Sequence, residues 1–150
     1  MQEIITQKQF LDLYNGGQRL FSNSLMQFFD ISTIKIEDVS FSNCDMLFCV
    51  FRNCDLKNVI FENCKIYYGS FYSGSANSVE FKKCAIELTL FDSYQFSNVV
   101  MNKCNIRISG VFNSNADSID LATSIQFKFF TNISQVTQED IESVIGEVMQ

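Results

Sequence analysis

A chain of 150 residues, 47% hydrophobic and 19% charged, with six Gly and no Pro, has the size and composition of one folded domain, not of a disordered tail, a linker or a collagen-like segment. It contains no His, which removes the commonest general base near neutral pH and the commonest metal ligand. The expectation is a non-enzymatic protein without metal or cofactor. A formal net charge of -6 and no Arg-aromatic patch argue against nucleic-acid binding.

Residues 1–9 (MQEIITQKQ) lack the charged start and apolar core of a secretory signal, and no apolar run is long enough to cross a bilayer. A cytoplasmic location with no membrane contact is therefore expected. Thr6 and Gln9 form a capping box for a helix that carries Phe10, Leu11, Leu13 and Tyr14 and stops at Asn15, Gly16 and Gly17. Residues 6–17 read as a lid.

From residue 19 to 121 the chain repeats. Every fifth residue from Phe21 to Leu121 is apolar, and two places before most of these stands a small or β-branched residue, as at Val39, Cys44, Cys49, Cys54, Val59 and Cys64. A period of five fits neither the 3.6 of a helix nor the 2 of a flat strand, so each unit is a short extended piece followed by a turn. A second period of twenty lies above it, aligning Val39, Val59, Val79 and Val99 in one column and Cys44, Cys64, Cys84 and Cys104 in another. Four units per coil predict a four-sided solenoid. Five coils stacked at the usual strand spacing make a rod roughly 24 Å long.

Beyond the repeats, residues 122–135 lose the register at Gln126, and Phe127, Phe129 and Phe130 suggest an extended piece folding back on the rod. Thr137 then caps a helix whose Ile141, Val144, Ile145 and Val148 form a single apolar contact face. Residues 122–150 are thus read as an extended segment and a helix, within a single domain spanning 1–150.

The repeat resembles the pentapeptide repeat family, whose unit is Ala-(Asp/Asn)-Leu-X-X. The segments Cys54, Asp55, Leu56 and Cys44, Asp45, Met46 match best, with Cys in place of Ala. The resemblance implies an all-β fold, a right-handed quadrilateral β-helix with short helical caps. Phe at many centres, Gly69 and Gly74 at small inward sites, and bulky Tyr94 where a small residue is usual are departures from that pattern.

The six cysteines lack the short pairs of a zinc site and occupy the small inward row, so they read as core. Asp45, Asp55, Glu62, Glu80, Glu87 and Asp92 lie outward with nothing to desolvate them, and read as a solvated face. Some relatives in the family act as DNA mimics on type II topoisomerases, which makes inhibition of a DNA-handling enzyme the alternative function. Residues 19–121 hold nine basic and eleven acidic side chains, a net of only -2, and a phosphate-like field needs more.

The positive signal is apolar residues at positions that should face water. Phe28, Phe48, Tyr68, Leu88 and Ile108 repeat over five coils, with Leu47 and Tyr67 beside them and Val50 and Leu90 round the corner. Outward sites elsewhere carry Glu37, Lys57, Asn77, Ser97 and Asp117. A patch of this length marks a contact surface. Three occupants are open: residues 122–150 of the same chain, a second copy in a homodimer, or another protein. No small-molecule substrate is implied, and a protein-binding scaffold or adaptor is the expected function.

Overall fold

The computed structural model describes residues 2–148 and shows a parallel β-solenoid of about six turns with two short helices. From Leu20 onward strand partners differ by twenty residues: Asp45 pairs with Lys65, Lys65 with Ala85, Ala85 with Asn105, and Asn105 with Ile125. All these pairings are parallel, so each coil's backbone groups are satisfied by the coils above and below.

The turns between units share one conformation. Every fifth residue from Asn23 to Asn113 has a positive φ, and its amide donates to the next coil, as from Asn43 N to the Glu62 carbonyl at 3.0 Å. That left-handed corner frees the flanking residues to extend. It explains why short strands alternate with turns at a period of five.

Two rows point inward. The central row stacks its aromatic rings, with centroids 5.1 Å apart for Phe41 and Phe61, 4.8 Å for Phe61 and Phe81, and 5.0 Å for Phe51 and Phe71. These spacings follow the strand-to-strand distance of about 4.8 Å, so coil stacking and ring stacking reinforce each other. The second row holds the cysteines, all free and buried. Their thiols donate to backbone: Cys84 Sγ lies 3.2 Å from the Phe61 carbonyl and 3.5 Å from that of Lys82. Thr89 Oγ1 reproduces the pattern towards Ile66 and Glu87. A small side chain with a donor fits this row, which is how Cys replaces Ala.

Burial pushes the Cys49 thiol up to about 11 and moves that of Cys54 in the same direction. Hydrogen bonds from Cys44 and Cys84 act the other way and lower Cys64 and Cys104, so it is burial that protects the row: the six buried thiols are expected to resist a water-soluble disulfide reagent at pH 8 in the native protein and all to react once guanidinium unfolds it. A rapidly reacting native thiol would contradict this packing.

The departures from the repeat explain one another. Tyr94 fills the interior beside Gly74, and its hydroxyl donates to the Cys54 carbonyl, two coils back, at 2.9 Å. Ala76 leaves further room in the central row between Leu56 and Phe96.

The N-terminal end is closed by helix α1, Gln7–Asn15, with the capping box in place: Gln9 N donates to Thr6 Oγ1 at 3.1 Å and Thr6 N to Gln9 Oε1 at 2.8 Å. Phe10 sits 4.9 Å from the Phe21 ring, and Tyr14 hydrogen-bonds the backbone of Lys35 and Glu37. Leu13 faces outward instead of into the lid. A short strand, Glu3–Ile5, pairs with Ser24–Gln27 and adds to the stack ahead of the repeats.

At the other end the structure corrects an expectation. The strand Ile125–Phe130 does not fold back; it continues the register of Asn105–Phe112 as a further turn. Gln126 takes the central position but is exposed, because no coil follows and its amide reaches water. The loss of register in the sequence marks the end of the core, one coil before the end of the stack.

Candidate protein-contact surface

The apolar stripe occupies one corner of the solenoid. Phe28, Phe48, Tyr68, Leu88 and Ile108 all have left-handed backbone, with φ of 58°, 56°, 56°, 49° and 49°. That conformation suits Asn, Asp and Gly, and is unfavourable for bulky or β-branched side chains. The other corners carry polar residues, among them Asn43 and Asn63, Asn53 and Ser73, and Asn58 and Ser78. Turn geometry therefore does not account for the apolar column.

The first three members form an open aromatic ladder. Phe28 and Phe48 stack at 5.4 Å with planes 12° apart, and Phe48 and Tyr68 at 4.6 Å with planes 3° apart. Phe28 is 69% exposed and Phe48 46%. Half-buried Leu47 and Tyr67 pair beside them, whereas Val50 is separated from Leu90 by Ser70 in the adjoining column. Burial raises the Tyr67 hydroxyl above its ordinary range, with Glu87 and Asp45 adding to the effect, so it stays a neutral donor.

Further along, exposure falls, and Ile108 is only 7% accessible. Helix α2, Gln138–Val148, lies beside this part of the stripe: Ile141, Val144 and Ile145 line one side of a cleft of about 320 Å³ and Leu88, Leu90 and Ile108 the other, with Ile141 and Ile145 still exposed. The Val148 side chain lies outside the described residues. Thr137 caps α2 by accepting from Asp140 N at 3.1 Å, and Asp140 returns the bond to Thr137 N at 2.9 Å. The Thr137 backbone amide holds the Asp140 carboxyl below the usual carboxylate range, assisted by the Thr137 hydroxyl and by Lys128. Lys128 continues the corner column and reaches α2 through Asp140 at 3.4 Å and Ser143 at 3.1 Å.

The structure thus divides the stripe. Phe28, Phe48, Tyr68, Leu47, Tyr67 and Val50 belong to the open part, while Leu88, Leu90 and Ile108 lie beside α2. Phe112, Phe130 and Val136 complete the cleft, and only the outward column that places Phe130 two coils from Leu90 hints at this in the sequence. Three of the outward acids make inter-coil contacts: Glu87 pairs with Arg107 at 3.1 Å, Asp55 accepts from Ser75 Oγ at 2.8 Å, and Asp92 accepts from Asn113 Nδ2 at 3.1 Å. Among the described residues no group of His, Cys, Asp or Glu is placed to hold a metal ion, and no helix is long and apolar enough to cross a membrane.

With this geometry, residues 20–91 match the model of the pentapeptide repeat region. Those residues are a pentapeptide repeat region. Solved structures similar to this pentapeptide repeat chain include QnrB1, a plasmid-mediated fluoroquinolone resistance protein, at 13% identity over 88% of this chain and 89% of that one, TM-score 0.41. Rfr23, from the cyanobacterium Cyanothece 51142, is 9% identical over 81% and 97% of the two chains, TM-score 0.41. HetL from Nostoc sp. strain PCC 7120, a pentapeptide repeat protein involved in heterocyst differentiation regulation, is 11% identical over 80% and 72%, TM-score 0.29. No curated protein matches the sequence.

Proposed function

We propose that this pentapeptide repeat rod is a non-enzymatic scaffold that binds another protein through its open aromatic corner. The observation that carries the reading is the stacked ladder of Phe28, Phe48 and half-buried Tyr68, exposed at its two Phe, at backbone positions where other corners are polar. Apolar surface that neither the turn nor the core requires is costly in water and is favoured only where something covers it.

Site-specific photocrosslinking tests this in cells that naturally make the protein. A benzoylphenylalanine in place of Phe48 is expected to give discrete higher-mass adducts, and one in place of Asn58, on a polar corner, to give none. Equal labelling from both positions would overturn the reading.

A further inference from the structure

We infer that the open corner is the seat of an amphipathic α-helix from another protein, laid along the rod with one apolar side chain per turn. This rests on the scaffold reading and names the kind of partner it takes.

Period is the first argument. Coils repeat at about 4.8 Å and a helix rises about 5.4 Å per turn, so side chains at i, i+3 or i+4, and i+7 fall about one per coil over the span of the ladder. The ring centroids along it are 5.4 and 4.6 Å apart.

The second argument is continuity with an interface the chain already makes. Helix α2 lines one side of a cleft with Ile141, Val144 and Ile145, spaced i, i+3, i+4, and the C-terminal part of the same stripe, Leu88, Leu90 and Ile108, lines the other. Lys128, in the corner column itself, anchors it through Asp140 and Ser143. An amphipathic helix is thus already held beside this corner within the same chain, and Phe28, Phe48 and Tyr68 lie outside the cleft it shares.

Other peptide shapes fit less well. An added strand needs free backbone groups, but the amides of Phe28, Phe48 and Tyr68 already donate to Leu47, Tyr67 and Glu87 at 3.0 Å. A proline-rich segment needs slots between aromatic rings, and here each ring's face is covered by the next. Charges beside the ladder have both signs, with Asp30 paired to Arg52 and Asp45 aligned with Lys65, so selection falls on the apolar spacing and not on net charge.

The 150-residue chain holds no Trp, so a peptide carrying one Trp reports its own binding by fluorescence anisotropy. The probe is an acetylated, amidated 18-residue Leu/Glu/Lys peptide with leucines at i, i+3, i+4 and i+7; the control is its isomer with leucines alternating. Saturable binding of the helical pattern is expected, weakened at least tenfold in the isomer and in the Phe28→Asn/Phe48→Asn protein. Phe48→Lys, checked for native circular dichroism, guards against a misfolded variant and should weaken binding equally. Equal binding of both peptides, or binding that survives in both variants, overturns the inference. So does a wild-type molar mass that rises with concentration and falls back in Phe48→Lys, since the occupant is then a second copy. Adducts at position 48 without peptide binding would remove the helix and leave the scaffold standing; absence of both would remove the scaffold as well.

Discussion

Replacing Gly74 by alanine is expected to damage this protein more than a single methyl group usually does. A Cβ there would lie 2.0 Å from the Cys54 carbonyl oxygen and 2.8 Å from Tyr94 Cε2. The first contact is with backbone and the second with a ring held by its hydroxyl to that same carbonyl, so neither yields cheaply. Overpacking of this kind costs about 3 kcal/mol, which lowers Tm by roughly 10 °C in a domain of this size. Gly69 supplies the control within the same inward row, because its added Cβ would meet Ile66 Cγ2 at 3.4 Å and Thr89 at 3.5 Å, ordinary contact distances. Gly69→Ala is expected to stay within about 1 kcal/mol of the parent. Thermal unfolding of the two variants side by side checks the contrast, and similar losses in both would show that Tyr94 does not organise the interior as described.

That contrast also shows where sequence reading stops. The twenty-residue period makes the coils, the inward rows and the corner columns legible, because each depends on contacts between residues at fixed spacing. Thr6 and Gln9 identify the lid helix for the same reason: a capping box is local. The fit of Tyr94 to Gly74 and Cys54 is not local. It spans two coils, and each residue taken alone looks like a flaw in the repeat. Gln126 is a flaw of another kind, since polarity at a central position signals the end of burial and says nothing about the end of hydrogen bonding. The strand Glu3–Ile5 precedes the periodic region and joins the stack through backbone pairing, with Ile5 packed against the core.

The candidate surface was legible as a column but not as two regions. Phe28 through Ile108 share a phase, and phase alone makes them equivalent. What separates them is α2, whose placement depends on Lys128 meeting Asp140 and Ser143 across a loop with no periodic signature. The left-handed backbone of the column is likewise a property of the folded turn. It turns a list of apolar outward residues into a sharper observation, because Asn at these positions would suit the backbone better than the residues present.

One substitution applied at two points of the column separates contact from structure. Phe48→Asn removes stacking against Phe28 and Tyr68, worth about 0.5–1.5 kcal/mol per pair beyond area burial. It also relieves a left-handed Phe in favour of the residue that other corners use, a gain on the order of 1 kcal/mol. For a side chain 46% exposed the two effects together leave a loss of about 0–2 kcal/mol, so Tm is expected to fall by only a few degrees while crosslinked adducts disappear from neighbouring positions. Ile108→Asn gains at least as much from the backbone, since a β-branched residue is the least suited to φ of 49°. Yet it places an amide among Leu88, Leu90 and Val144 in the cleft wall, where burial of a polar group and lost apolar packing cost about 2–4 kcal/mol. Its Tm is expected to fall by roughly 5–10 °C, with α2 loosened from the rod. Guanidinium unfolding of both variants reads the difference. If Phe48→Asn proved as destabilising as Ile108→Asn, the open ladder would be holding the coils together, and the reason for its exposure would have to be sought in folding instead of binding.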